Sequence, residues 1–328
     1  YFEKIFQFLN FKYKFDFWHI TSAFPLGISF VKYANKKNIP YLLRCVGEDI
    51  QLDKNIGYGY SQKNKYEKLI KHYIPQTKNL IATSDSILDC YSTLGVSKSK
   101  IHYVTNGVVL KNFRIPVNKR IEKKKKGIDL QALTLISVGR NHIKKNYNLI
   151  IEIAKVLKTK TNLNFQFIIV GKDVKKLENK IKKFNLQKQF FLIENLSLTN
   201  LKNLYMPSED LIKLYKISDI FLFPSVIESF GIVIIEAMAA ALPVIACKVP
   251  GSKDLVKDNK NGFLVRKNNV QEFVKRIVSL YNNKKLFKRL KKNSFDSAQK
   301  FDWEKISNNY IKLYEKIIKE TKINKITK

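Results

Sequence analysis

Two glutamates, Glu228 and Glu236, stand eight positions apart in the stretch Pro224–Pro250, PSVIESFGIVIIEAMAAALPVIACKVP. Ser229, Phe230, Gly231 and Ile232 follow the first of them. Gly231 permits close backbone approach where a helix begins. The free N–H groups of a helix N-terminus attract phosphate and sugar oxygens. A second constellation is Gly139, Arg140 and Lys145, again between an apolar run and a helical pattern. A glycine with two cations suits a diphosphate, because the backbone can approach closely and Arg offers phosphate a planar fork. Two bland readings compete: glutamates on a solvated helix face, and a surface cation pair in a lysine-rich chain. The apolar flanks of Glu228 and Glu236 predict burial on both sides and oppose the first. Residues 230–247 do not read as a membrane span, because Glu236 and Pro243 interrupt them.

Both segments resemble the signatures of retaining glycosyltransferases of family 4. Residues 228–236 match E-x-F-G-x-x-x-x-E, and 237–246 match A-M-A-x-G-x-P-V-x-A with Ala241 at the glycine. Residues 138–146 match V-G-R-x-x-x-x-K-G with Asn146 at the last position. The resemblance implies an α/β GT-B fold, two doubly wound Rossmann-like domains facing a central cleft. It implies a catalytic set of Arg140, Lys145 and Glu228, the cations neutralising a departing diphosphate and Glu228 contacting the donor sugar. Donor-binding residues would be Gly139, Ser229, Phe230, Gly231 and Ile232, with Glu236 on the ribose and the Asn195-Leu196 backbone at the base. Gly47 and Asp49 match the acceptor-side H-G-x-D, where Val46 replaces the histidine; Asp49 either contacts an acceptor or caps a turn. The implied activity is metal-independent hexosyl transfer from a UDP- or GDP-sugar to a glycan or lipid-linked acceptor in bacterial surface-polysaccharide synthesis, without a cofactor. A catalytically weakened nucleotide-sugar-binding relative is the alternative. The implied location is cytoplasmic or peripheral on the inner membrane face, against anionic lipid.

The elements that must position these residues read as strand–helix–strand successions, which indicate doubly wound sheets with ligands at the strand carboxyl ends. Runs 15–20, 41–45, 79–83 and 101–104 predict strands in the first half, and 133–138, 165–170, 189–193, 220–223 and 244–247 in the second. The expected division is an acceptor-side domain over 1–116, preceded by sequence not present here, and a linker over 117–130. A nucleotide-sugar domain over 131–300 and a final helix returning to the first domain from 301 complete it. The linker reading rests on KRIEKKKKG, a charged run with no core periodicity. His19 ends a strand and reads as structural.

At 45% hydrophobic and 12% aromatic residues, the 328-residue chain has enough apolar side chains for sizeable cores, which excludes global disorder. Its 61 Lys+Arg against 27 Asp+Glu make it strongly basic. That balance admits a nucleic-acid partner, but no zinc finger, RNP-type motif or isolated basic helix accompanies it. Cys45, Cys90 and Cys247 are widely spaced and form no CxxC pair, so neither a metal site nor a disulfide framework is supported.

Overall fold

The computed structural model describes residues 2–194, 196 and 207–326. The chain divides into two compact units, Tyr1–Asn106 with Glu304–Lys328, and Gly107–Trp303.

The first unit runs α1 (Phe2–Tyr13), β1 (Trp18–Thr21), α2 (Ile28–Lys37), β2 (Tyr41–Arg44), α3 (Asn64–Tyr73), β3 (Leu80–Ala82), α4 (Asp85–Thr93) and β4 (Ile101–Tyr103). The strands form one parallel sheet in the order β1-β2-β3-β4. Side chains alternate across it. Tyr41 and Leu43 meet Phe30, Val31 and Tyr91 on one face, and Leu42 and Ile81 meet Ile306, Tyr310, Leu313 and Ile317 on the other. Those last four belong to the terminal helix, so its apolar stripe closes the second face of this sheet. Helix α1 is not foreseen in the aromatic-rich opening stretch. It is held by Phe6, buried edge-on against Trp18 and Phe30. His19 takes the structural role expected of it, with Nδ1 2.7 Å from the Tyr314 hydroxyl.

The second unit runs α5 (Lys119–Lys125), β5 (Leu133–Val138), α6 (Tyr147–Lys160), β6 (Phe165–Val170), α7 (Glu178–Lys183), β7 (Phe190–Ile193), α8 (Glu209–Ile217), β8 (Ile220–Phe223), α9 (Ile232–Ala239), β9 (Val244–Cys247), α10 (Ser252–Leu255), β10 (Gly262–Val265), α11 (Val270–Asn282) and α12 (Lys284–Ala298), and the last helix, α13, spans Trp303–Ile326. Its six parallel strands are ordered β10-β9-β8-β5-β6-β7. Every residue of β8 and β9 is buried, as a parallel strand covered by helices on both faces requires. The strand order reverses between β5 and β8. Loops leaving the carboxyl ends of two such strands diverge and leave a crevice, where this class of sheet binds ligands.

The stretch 117–130 is not a linker. It lies inside the second unit, and Asn118 caps α5 by accepting a bond from the Ile121 N–H. Lys123 and Ile128 are buried. A polar run escapes a periodicity argument when its inward residue is a lysine with a long apolar stem. Gly107 has its own packing reason: a Cβ there would enter the Trp303 ring. Among the described residues no helix is long and apolar enough to cross a membrane.

Candidate active site

The loops after β5 and β8 carry the two sequence motifs, and they meet. Lys145 Nζ lies 2.7 Å from Glu228 Oε2, and Lys144 Nζ 3.9 Å from Oε1. A backbone bond fixes the contact, the Val226 N–H donating to the Lys144 carbonyl at 2.8 Å. The Lys145 ammonium also stands 4.8 Å above the Phe223 ring. Only 12% of the Lys145 side chain and 10% of Glu228 is exposed, so this pair sits in a medium that screens charge weakly. Burial by itself raises the Glu228 carboxyl. Lys145 and Lys144 outweigh it and hold the group below the ordinary carboxylate range.

The loop geometry has local causes. Gly139 has φ +145°, and Tyr147 at the start of α6 donates its hydroxyl to the Gly139 carbonyl at 2.9 Å. The neighbouring loop after β6 is zipped to it: Asn141 N–H donates to Lys172 O, and the Asn141 side-chain amide to Asp173 O. Arg140 projects exposed from this loop. Asp173 is held below its ordinary range by its bond to Lys176 first, with Lys172 and Arg140 adding to it.

On the β8 side, Gly231 has φ +93° and stands immediately before α9. A left-handed position is cheap only for glycine, and it turns the chain so that the first N–H groups of α9 open from the loop. The Phe230 side chain is core, edge-on to Phe301. Ser229 N–H donates to Glu228 Oε1 at 3.2 Å, and Ile232 is 44% exposed. Glu236 points from α9 into the buried interior and accepts a bond from the Tyr215 hydroxyl at 2.8 Å. Burial pushes its carboxyl up to about 7 despite that bond.

The model of the glycosyl transferases group 1 matches residues 118–297. An uncharacterised glycosyltransferase of Methanocaldococcus jannaschii is 30% identical over 92% of this chain and 76% of its own length. The chain belongs to the glycosyl transferases group 1 family. Escherichia coli UDP-Gal:alpha-D-GlcNAc-diphosphoundecaprenol alpha-1,3-galactosyltransferase is 32% identical, but the match covers 60% of this chain and 49% of that enzyme. Among solved structures, a Rickettsia africae glycosyltransferase superposes with a TM-score of 0.78 at 21% identity, covering 97% of this chain and 81% of that one. Anabaena HepE, solved with UDP-glucose, gives 0.78 at 17% identity over 96% and 82%. The fold is α/β GT-B, with two Rossmann-like units.

This glycosyltransferase thus brings Gly139, Lys145, Glu228, Ser229 and Gly231 into one loop cluster. Glu236 stands one turn inside α9, and Arg140 is exposed on the first loop. Leu196 is partly buried against the second unit's core, and Asn195 lies outside the described residues. Of the two readings of Asp49, the structure displays the structural one. Asp49 is 1% exposed, and its carboxylate accepts bonds from the N–H groups of Ala23 (2.6 Å), Val46 (3.0 Å) and Gly47 (2.8 Å). It ties the loops after β1 and β2 together, and Gly47 serves the same turn. Three amides occupy most of its acceptor sites, as a carboxylate that orders a turn requires.

Two positioning glycines escape motif reading. A Cβ on Gly171 would run into the Gly139 carbonyl, and one on Gly251 would lie 2.5 Å from the Glu228 carbonyl. Both have positive φ, +143° and +81°. Each lets a neighbouring loop press against the backbone of a site residue, a requirement visible only across the sheet.

Proposed function

We propose that this glycosyltransferase is a retaining, metal-independent family 4 enzyme. It transfers a sugar from a UDP- or GDP-sugar to a glycan or lipid-linked acceptor in bacterial surface-polysaccharide synthesis. The observation that carries the reading is the Lys145–Glu228 contact at the switch point of the sheet. It joins a diphosphate-type loop to a sugar-type loop 83 residues apart in sequence. UDP-glucose in HepE and UDP-Gal in the name of the Escherichia coli relative favour a uridine donor.

In this mechanism Glu228 holds the Lys145 ammonium forward and accepts from a donor-sugar hydroxyl. Lys145 and Arg140 lie against the diphosphate, whose charge grows as the glycosidic bond breaks. Positive charge fixed where negative charge develops lowers the barrier and not merely the binding free energy. Glu236 accepts from the ribose hydroxyls. The acceptor hydroxyl attacks from the face the diphosphate leaves, and its proton passes to a departing phosphate oxygen.

A thermal-shift panel of nucleoside diphosphates and their sugars tests this reading. A ligand that binds the folded state alone raises the midpoint, by about 2.7 kcal/mol of stability at a hundred times its dissociation constant. UDP and one UDP-sugar are expected to shift it; no shift with any uridine or guanosine diphosphate sinks the donor assignment. Val46, 45% exposed at the histidine position of the H-G-x-D pattern, motivates the weakened-enzyme reading. Binding of a donor with no product formed would establish it.

Membrane contact is proposed for the first unit. Phe8 (60%) and Phe11 (82%) are exposed on α1, with Lys12 over the Phe8 ring. Amphipathic helices of this composition lie in anionic interfaces. Flotation with anionic vesicles should fall for Phe11→Ser; equal binding to neutral vesicles would refute the electrostatic part.

A further inference from the structure

The basic run expected to be a linker forms one wall of a cavity. Of 640 Å³, it is lined by Lys119, Arg120 and Lys123 of α5, by Leu133 and Asp219, and by Tyr281 of α11. Leu133 opens β5 and Asp219 precedes β8, so the cavity lies at the amino-terminal edge of the sheet. The Gly139 and Glu228 loops leave the opposite edge, about 20 Å away across six strand residues. The cavity is therefore separate from the donor loops, and its chemistry is independent of their assignment.

Its charges do not balance. Asp219 is the one carboxylate in the lining, and it is already engaged: Oδ2 accepts from the Thr134 N–H at 2.9 Å, and Oδ1 lies 3.6 Å from Lys119 Nζ. Lys119 also donates to Ser218 O at 3.3 Å. Lys123 is only 6% exposed, and its Nζ donates to a single neutral acceptor, Ala132 O at 3.2 Å. An ammonium carries three N–H donors, and no carboxylate forms an ion pair with this one among the described residues. The Asp129 carboxylate feels the Lys123 charge without forming an ion pair with it, so donors of this buried ammonium are left for an anion that reaches it. A further cation stands close by: burial first, and then the charge of Lys119, hold the Lys291 ammonium of α12 below its ordinary range.

We propose that this cavity binds a phosphate-bearing ligand, the phosphate lying among Lys119, Arg120 and Lys123. Ammonium and guanidinium groups make short charge-assisted bonds to phosphate oxygens. The volume falls within the range of about 300–1,000 Å³ typical of small-molecule sites and exceeds what a bare phosphate needs. Leu133 and the 49% exposed Tyr281 ring give the remainder of the ligand an apolar surface. Two sources share this chemistry, a phospholipid headgroup and a soluble phosphate ester or diphosphate.

Calorimetric titration of the full chain with inorganic pyrophosphate tests the site. Two classes of binding are expected, one weakened by Arg140→Ala at the donor loop. The other should be insensitive to Arg140→Ala and at least tenfold weaker in Lys119→Gln and Lys123→Met. If Lys123→Met does not fold, Lys119→Gln carries the test alone, since its side chain is 47% exposed and its removal leaves the core intact. Sedimentation with phosphatidylglycerol vesicles separates the sources. A tenfold loss of vesicle binding in Lys119→Gln assigns the headgroup. Unchanged vesicle binding beside lost pyrophosphate affinity assigns a soluble ligand. Pyrophosphate binding that neither lysine variant alters, or no class of binding beyond the one Arg140→Ala weakens, overturns the proposal.

Discussion

Arg140→Ala and Lys145→Ala are each expected to lose at least tenfold in turnover, and about a hundredfold if each supplies a full preorganised donor. The donor's Michaelis constant should move less than turnover, because the charge these cations meet is largest in the transition state. The two variants differ in what else they disturb. Arg140 is exposed, so its removal leaves the fold alone and gives the cleaner reading. Lys145 neutralises Glu228, a carboxylate 10% exposed. Removing it leaves Lys144, 3.9 Å away, as the remaining cation on Glu228 and costs stability as well as rate. The double variant should lose less than the product of the two, since both act on one diphosphate. Added magnesium should rescue neither. If turnover holds and only the Michaelis constant rises, these residues merely retain the donor. If neither parameter moves, the diphosphate site lies elsewhere.

The sequence carried the frame of each loop because each motif is local: a strand, a turn with one glycine, and a helix entrance. The boundaries of 133–138, 165–170, 220–223 and 244–247 are observed as expected, since buried parallel strands are unbroken apolar runs ended by polar or glycine residues. What is not local was not legible. That Lys145 reaches Glu228, and that Gly171 and Gly251 clear space for Gly139 and Glu228, depends on which strands are neighbours. Asp49 shows the same limit from the other side. Its neighbours in sequence admit a ligand contact or a cap, but do not reveal its bond from the Ala23 N–H, 26 residues away, which ties two loops together. The run at 119–125 failed as a linker because a buried lysine breaks the rule that charge marks a solvated surface.

Glu236→Gln is expected to stabilise the protein at pH 8 while weakening nucleotide binding. In the folded chain the Glu236 carboxyl is pushed up to about 7, from an ordinary 4.5, chiefly by burial. The folded state therefore holds a proton that the unfolded state releases between pH 4.5 and 7. Stability falls as pH rises wherever the folded state binds more protons, so this group's unfavourable contribution grows across that window and is constant above it. At about 1.4 kcal/mol for each pH unit, the difference amounts to about 3 kcal/mol. Glutamine keeps an oxygen to accept from Tyr215 and carries no charge to bury. Its melting temperature should match wild type near pH 4.5 and exceed it increasingly up to pH 7. Binding should move the other way. Ribose hydroxyls favour the ionised carboxylate, so below pH 7 the wild type should release a proton on binding nucleotide. Calorimetry in two buffers of different ionisation enthalpy measures that release. Replacing the charged acceptor should weaken binding by about 1–3 kcal/mol and abolish the proton release. A pH-independent gap in melting temperature would show that Glu236 is ionised in the folded chain. Unaltered nucleotide affinity in the glutamine variant would remove Glu236 from the ribose site. A gain in stability paired with a loss of affinity is the signature of a carboxylate kept in an unfavourable place for a ligand it is there to meet.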